Sequence, residues 1–203
     1  MDNPIKGSSQ KEIVSALRAL GEILLSQGEG VAVVAVGETA LILQNIVERT
    51  TRDVDIIAIG HHLGEGEPTE IESPEPFPEA LALAISKVAR DFDLPDDWMN
   101  STVGLQWKTG LPTGFAERIH WQTFDALWFG VADRYDLIFL KLYAAADSEG
   151  PSSVHFQDLL ALRPTEIELS EAAEWARSQD ISPQFAEILE QVLVYAIRNL
   201  YHD

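Results

Sequence analysis

Two short apolar runs, VAVVAV (Val31–Val36) and VDIIAI (Val54–Ile59), constrain the fold of this chain more than any other feature. Both are too short for a buried helix and rich in β-branched residues, and neither shows the alternation of a half-exposed strand. Each therefore predicts a strand covered on both faces. Gly37 breaks the first run, and the ETALILQNIVE that follows predicts a helix in spite of its β-branched residues. Asp53 and Asp55 head the second run, although aspartate is a poor strand former. Carboxylates at that point are either the solvated end of the strand or ligands for a metal ion.

Around these runs the pattern is helical. Ser9–Gln27 predicts a helix, because Ser9 and Glu12 have capping-box spacing and Ile13, Leu17, Leu20 and Leu24 recur at helical period. The stretch HHLGEGEPTEIESPEPFPE predicts a long exposed acidic loop over residues 61–79, held extended by its like charges. Phe77–Phe92 predicts an amphipathic helix with Leu81, Ile85, Val88 and Phe92 on its apolar face, and LPDDWMN a turn or short helix. ERIHWQTF and ALWFGV predict a β-hairpin with Asp125 near its join. From Asp133 onward helices follow one another. Asp133 and Asp136 bracket a helix start, HFQDLLAL stops before Pro164, Thr165 and Glu168 form a second capping-box spacing, and Ser182-Pro183 opens the last helix. The expected organisation is an α/β core over residues 1–132 with a helical part, 133–203, packed on it.

Net charge narrows the function. At −19, the surface repels phosphate backbones, so non-specific nucleic-acid binding is not expected, although a divalent cation can still neutralise a small phosphorylated ligand locally. The absence of cysteine removes disulfides, zinc–thiolate sites and cysteine nucleophiles. No run of about eighteen apolar residues spans a bilayer, and MDNPIKGSSQKE has no apolar signal core. A cytoplasmic protein with no membrane partner is the expectation.

If the chain is already extended at Asp53, both aspartates project to one face, and Thr51 and Arg49 share their parity. Mg2+ (or Mn2+) takes one or two carboxylates and fills its sphere with water and substrate phosphates. Arg49 could then face a phosphate, and Gly37 would let the backbone approach a ligand where a helix begins.

The segment VAVVAVGETALILQNIVERTTRDVDIIAI resembles the core of the minimal nucleotidyltransferase superfamily, whose pattern is an apolar strand, Gly-Gly or Gly-Ser, a helix and then DxD. It is more closely similar to the bacterial nucleotidyltransferase-like domain of unknown function related to AbiEii-type toxins. That domain carries GG-x-A-L, R-T-T-x-D-x-D and LP-x-W-x-N patterns, the last matched by LPDDWMN. Its later patterns are matched by YDLIFLKLYAAAD and DLLALRPTEIEL, so the likeness runs from about Val31 to Asp180. The resemblance implies an α+β fold, with a nucleotidyltransferase-like mixed sheet, flanking helices and a helical C-terminal part. It also implies Mg2+-dependent transfer of a nucleoside monophosphate from an NTP to an RNA or protein hydroxyl, in a toxin–antitoxin setting. Asp53 and Asp55 match the metal ligands, Gly37 the phosphate-turn glycine, Lys141 a lysine that meets phosphates, and Asp158 a downstream acidic position. Glu38 and Thr39 complete the nucleotide turn.

Two departures stand out. Glu38 replaces the second residue of the glycine pair, either facing the triphosphate or serving as a favourable acid in a first helical turn. The third carboxylate of active members has only Glu117 and Asp125 as candidates. These departures and the −19 charge motivate the alternative, a catalytically degenerate nucleotide-sensing or protein-binding module whose partner has a basic surface. A purely structural acidic protein is the third reading. Lys141 has the alternative of a snorkelling surface lysine, Asp158 of an exposed helical acid, the five tryptophans of core packing rather than base stacking, and His61-His62 of an exposed loop rather than a metal site. Ser152, Ser153 and His155 lack an oriented acid partner, which argues against nucleophilic catalysis.

Overall fold

In the computed structural model, which describes residues 8–61, 66–68 and 70–201, the two apolar runs pair as antiparallel strands, β1 (Val31–Ala35) and β2 (Val54–His61). Every residue of β1 is buried, and so is β2 from Ile56 to Gly60. β3 (Glu70–Glu72) runs antiparallel to the far half of β2, and β4 (Met99–Asn100) pairs in parallel with its first two residues. β5 (His120–Phe124) and β6 (Leu127–Val131) form the expected hairpin, turned by Asp125 in left-handed backbone, and β6 lies parallel to β1. The order β3-β2-β1-β6-β5, with β4 on β2, makes a mixed six-stranded sheet. With its flanking helices and helical C-terminal part, the chain has an α+β fold.

The chain divides into two units, one reaching Lys108 and resuming over Ala116–Ala132, the other comprising Thr109–Phe115 and the residues from Asp133 onward. Residues 109–115 fall with the helical unit.

In the first unit, α1 (Gln10–Gln27) starts at Ser9 with both arms of its capping box formed. It packs beside α3 (Glu79–Phe92) and over β5 and β6. Leu17, Leu20, Leu24, Leu81, Val88 and Phe129 are fully buried there, each worth roughly 1.5–3 kcal/mol in transfer free energy. α2 (Gly37–Leu43) is shorter than its apolar pattern suggested. Asn45 takes left-handed backbone, its N–H donating to Ile42 O and that of Ile46 to Leu41 O, a Schellman ending that Asn supports. A single-turn helix, α4 (Gln106–Thr109), comes later in the chain.

The acidic stretch is not the wholly exposed loop expected over 61–79. Pro68 and Pro74 are buried, Glu70–Glu72 joins the sheet, and His61 Nε2 lies 2.8 Å from Glu72 Oε1. Backbone pairing along β2 outweighs the repulsion among its glutamates. His62 and Glu65 lie outside the described residues. LPDDWMN forms a turn, one of its two readings, at Asp96-Asp97 and then enters a strand, β4, and Phe92 is 41% exposed at the end of α3 instead of completing its apolar face.

The second unit is built on α5 (Arg134–Asp147), against which α6 (Val154–Ala161), α7 (Glu166–Gln179) and α8 (Pro183–Tyr201) all pack. Asp133 caps α5, and Thr165 and Glu168 close the second capping box. Arg134 links three segments, donating to Leu162 O at 2.8 Å, to Arg163 O at 2.7 Å and to Glu168 Oε1 at 2.7 Å. Among the described residues no helix is long and apolar enough to cross a membrane.

Candidate functional site

The site is assembled where β1 ends and β2 begins. The Val36 N–H donates to the carbonyl of Asp55 at 3.0 Å, and the chain then turns at Gly37, whose φ is +69°. The Asp55 side chain lies against this glycine. A Cβ on Gly37 would sit 3.3 Å from Asp55 Cγ and closer still to Oδ2. Both the left-handed backbone and the missing Cβ are therefore needed for the carboxylate to reach the opening of α2.

Asp53 precedes β2 and is held by its own carbonyl. Thr39 Oγ1 donates to that oxygen at 2.8 Å and Thr51 Oγ1 at 3.1 Å, both hydroxyls being buried. Thr39 and Thr51, expected to meet nucleotide, thus fasten the start of β2 to α2. The Asp53 carboxyl is held above its usual range, first by burial and then by the charges of Glu38 and Asp97, partly offset by Thr51. Crowded carboxylates of this kind disfavour their own ionisation, and a bound cation would relieve them.

Glu38, at the start of α2, forms an ion pair with Arg49. Two readings from the sequence therefore meet in one contact, the acid at the phosphate turn and the arginine expected to face a phosphate. Of the two suggested third carboxylates, Asp125 lies at the opposite end of the sheet. Its turn adjoins Val31, and β6 runs from Leu127 there to Val131 beside Ala35, about 13 Å at ~3.3 Å per residue. Glu117 precedes β5 at the Ala35 end, two strands from β1, and is exposed.

Lys141 and Asp158 belong to the second unit, where Lys141 Nζ lies 2.7 Å from Asp158 Oδ2 and both are buried. Neither the snorkelling lysine nor the exposed helical acid describes them. The pair neutralises itself, and a phosphate would have to compete with Asp158 for the ammonium. Ser153 caps α6, accepting from Phe156 N–H at 3.1 Å, and donates to Gly150 O at 2.8 Å. Trp98, Trp121 and Trp175 are packing residues. Trp98 is buried with its indole N–H on Ile85 O, Trp121 covers Gly130, and Trp175 packs with Phe139 and Tyr143.

Sequence reasoning missed two residues of the LPDDWMN segment. Buried Trp98 anchors it, and its carbonyl accepts from Val54 N–H at 2.6 Å. Asp97 thereby comes close enough to Asp53 to raise its pKa, and Asn100 pairs with Asp55 across β4 and β2. The quoted motif carried the signal, but nothing in its spacing said that it returns to the aspartates. A cavity of about 10 Å³ lies beside Asp53, lined by Thr51, Arg52, Leu94 and Trp98 among others. It has room for about one water, not for a nucleotide.

The donor set suits a metal that keeps much of its sphere for water and substrate. Among the described residues no group of three or more His, Asp or Glu side chains is arranged to hold a metal ion. Asp53 and Asp55 supply hard carboxylate oxygens, which is compatible with Mg2+ or Mn2+ bound together with phosphate oxygens but not with a closed, all-protein site. Comparison of the chain with protein-family models, with curated proteins and with solved structures finds no match.

Proposed function

We propose that the chain is a metal-dependent nucleotidyltransferase-like protein that takes an NTP with Mg2+ or Mn2+ at Asp53 and Asp55. Its transfer product would be a nucleoside monophosphate on an RNA or protein hydroxyl, as the toxin-related resemblance implies. The observation that carries this reading is the contact of the Asp55 carboxylate with Gly37 at the opening of α2. A phosphate approaching the turn would meet a metal-competent carboxylate in the same place. The metal would supply Lewis-acid charge, Asp53 and Asp55 would orient it, and the backbone at Gly37, which carries no side chain, would admit the triphosphate.

Thermal unfolding with each of the four NTPs, with and without Mg2+ or Mn2+, tests this. At ten times the dissociation constant a ligand stabilises by about 1.4 kcal/mol, or roughly 3–6 °C for a chain of this size. Asp53→Asn with Asp55→Asn should abolish the shift and any transfer of label from NTP, leaving the fold intact. Retention of either would refute the assignment.

The ion pair of Glu38 with Arg49 favours a second reading, since it engages the cation expected to meet phosphate. In that reading the fold serves as a nucleotide-sensing or protein-binding module, and the −19 charge selects a partner with a basic surface. No thermal shift at millimolar nucleotide, with capture of a basic partner, would support it, and detection of nucleotide transfer would exclude it.

A further inference from the structure

We propose that the outer side of α7 and α8 docks a basic amphipathic helix of a protein partner, whether or not Asp53 and Asp55 serve a nucleotide. α8 carries two stripes at helical period. Phe185, Leu189, Val192 and Ala196 form the buried one. Pro183, Glu187, Glu190, Val194, Ile197 and Tyr201, alternately four and three positions apart, form the other, on the side away from them. A repeat of about 3.5 residues is what lets one helix lie along another. The later half of this stripe is apolar and open to solvent, with Val194 62%, Ile197 38% and Tyr201 36% exposed. A single exposed valine needs no explanation, but successive apolar turns on one face mark an interaction surface.

α7 supplies the second wall. Arg177 Nη2 donates to Glu190 Oε1 at 2.6 Å, and the Tyr201 hydroxyl donates to Pro164 O, so the two helices run antiparallel with these contacts at either end. Between them Glu166, Ser170 and Glu174 follow one line of α7 up to Arg177, and all are exposed. By this pairing Ser170 falls level with Val194 and Ile197, and its small side chain leaves room beside them. Charge then decides the occupant. Arg177 and Glu190 neutralise each other, which leaves the acids Glu166, Glu174 and Glu187 around the apolar turns, with Arg198 beside them. Burial and then the charge of Glu166 raise the pKa of the Tyr201 phenol, so that acid lies close to the stripe. A second copy of the chain would bring the same acids to the same place, and its −19 charge opposes approach. A helix with lysine or arginine on its flanks meets the acids with opposite charge, while its apolar face meets Val194, Ile197 and Tyr201 at i, i+3 and i+7.

The probe is a fluorescein-labelled peptide of about three heptads, with leucine at its apolar positions and lysine on both flanks, followed by fluorescence anisotropy against the full chain. The same peptide with glutamate in place of lysine should bind more than about tenfold more weakly. Val194→Glu separates docking from plain charge attraction, because it adds an acid. Docking should fall by more than about tenfold, whereas charge attraction alone would not fall. Ile197→Ser should weaken binding without changing charge, and Gln184→Glu, off the stripe on the same helix, should leave it unchanged. All three positions are exposed, so equal melting temperatures without peptide serve as the fold control. No binding at about millimolar peptide, or equal binding by Val194→Glu and the unsubstituted protein, overturns the groove. Equal binding of the glutamate peptide overturns the basic partner. A mass in sedimentation that doubles with concentration and reverts in Ile197→Ser makes a second copy the occupant, and overturns the proposal as well.

Discussion

Replacing Gly37 by alanine tests the geometry of the site without any ligand. Alanine at φ +69° carries the steric penalty of left-handed backbone, about 1–2 kcal/mol. The new Cβ would also stand 3.3 Å from Asp55 Cγ and 3.4 Å from its Cβ, with Oδ2 nearer still. The carboxylate must turn away, at about 0.5–1.5 kcal/mol for an unfavourable rotamer. Together these predict a loss of roughly 2–3 kcal/mol, or about 4–12 °C in melting temperature at this chain length. The two parts can be separated with Asp55→Ala, which removes the carboxylate and leaves the backbone strain. In a double-mutant cycle Gly37→Ala should therefore cost about 1 kcal/mol less when Asp55 is already alanine. Chemical denaturation of the four proteins gives the numbers. Additive losses would show that Asp55 does not lie against the glycine.

Breaking the buried pair by Lys141→Met strands the charge of Asp158 and should cost about 3–5 kcal/mol in denaturant unfolding, while Lys141→Met with Asp158→Leu should recover most of that loss. Gly21→Ala places a Cβ 2.7 Å from the carbonyl carbon of Phe124 and nearer its oxygen, where neither backbone can yield, so a loss of at least about 3 kcal/mol or failure to accumulate as folded protein is expected. Glu168 is held below the ordinary carboxylate range, first by its hydrogen bond from Arg134, so its contribution is fully present above that range and fades as pH falls through the lower folded value. The stability difference between the unsubstituted protein and Glu168→Gln should accordingly shrink below about pH 4.5, and a constant difference would contradict the pairing. Asp53 has the opposite sign, because a raised folded pKa means that folding disfavours its ionised form. At neutral pH and without metal, Asp53→Asn should raise the melting temperature, and a lower one would argue against carboxylate crowding.

Where local chemistry decides the structure, the sequence was legible. β1 and β2 follow from runs with no polar residue at their centres, and three helix starts follow from Ser9, Thr165 and Pro183. What escaped depends on partners far along the chain. Glu70–Glu72 reads as a repelling acidic loop until β2 offers it a backbone ladder. Lys141 reads as a surface residue until α6 brings Asp158 against it, seventeen positions later. The same limit applied at the site. Asp53, Asp55 and Gly37 were marked by spacing within one strand–turn–helix unit, whereas Asp97 and Asn100 reach it only because Trp98 docks on α3 and leads a two-residue strand back to β2. Asp125 failed as a third carboxylate for a related reason, since hairpin direction, not sequence distance, puts it at the other end of the sheet.

If the proposed function holds, the charges constrain the form in which this arrangement could take a nucleotide. Acidic residues number 33 against 14 lysines and arginines, and Arg49 is already paired with Glu38. Between unit charges 4 Å apart near a protein surface the energy is about 4 kcal/mol, so a bare triphosphate beside Asp53, Asp55 and Glu38 would face repulsion that no single hydrogen bond offsets. A divalent cation between Asp53, Asp55 and a phosphate oxygen would set three attractive contacts against that repulsion. It also relieves the crowding that raises the Asp53 pKa. Under the proposed function, then, metal and nucleotide must bind as mutually dependent ligands, each raising the affinity of the other by the same factor. The ion pair of Glu38 fits that scheme, because it keeps a third negative charge from opposing the phosphate. The acid at the turn is on this view compatible with a nucleotide site as long as Arg49 stays with it, and Arg49 then acts on the phosphate indirectly, by neutralising Glu38.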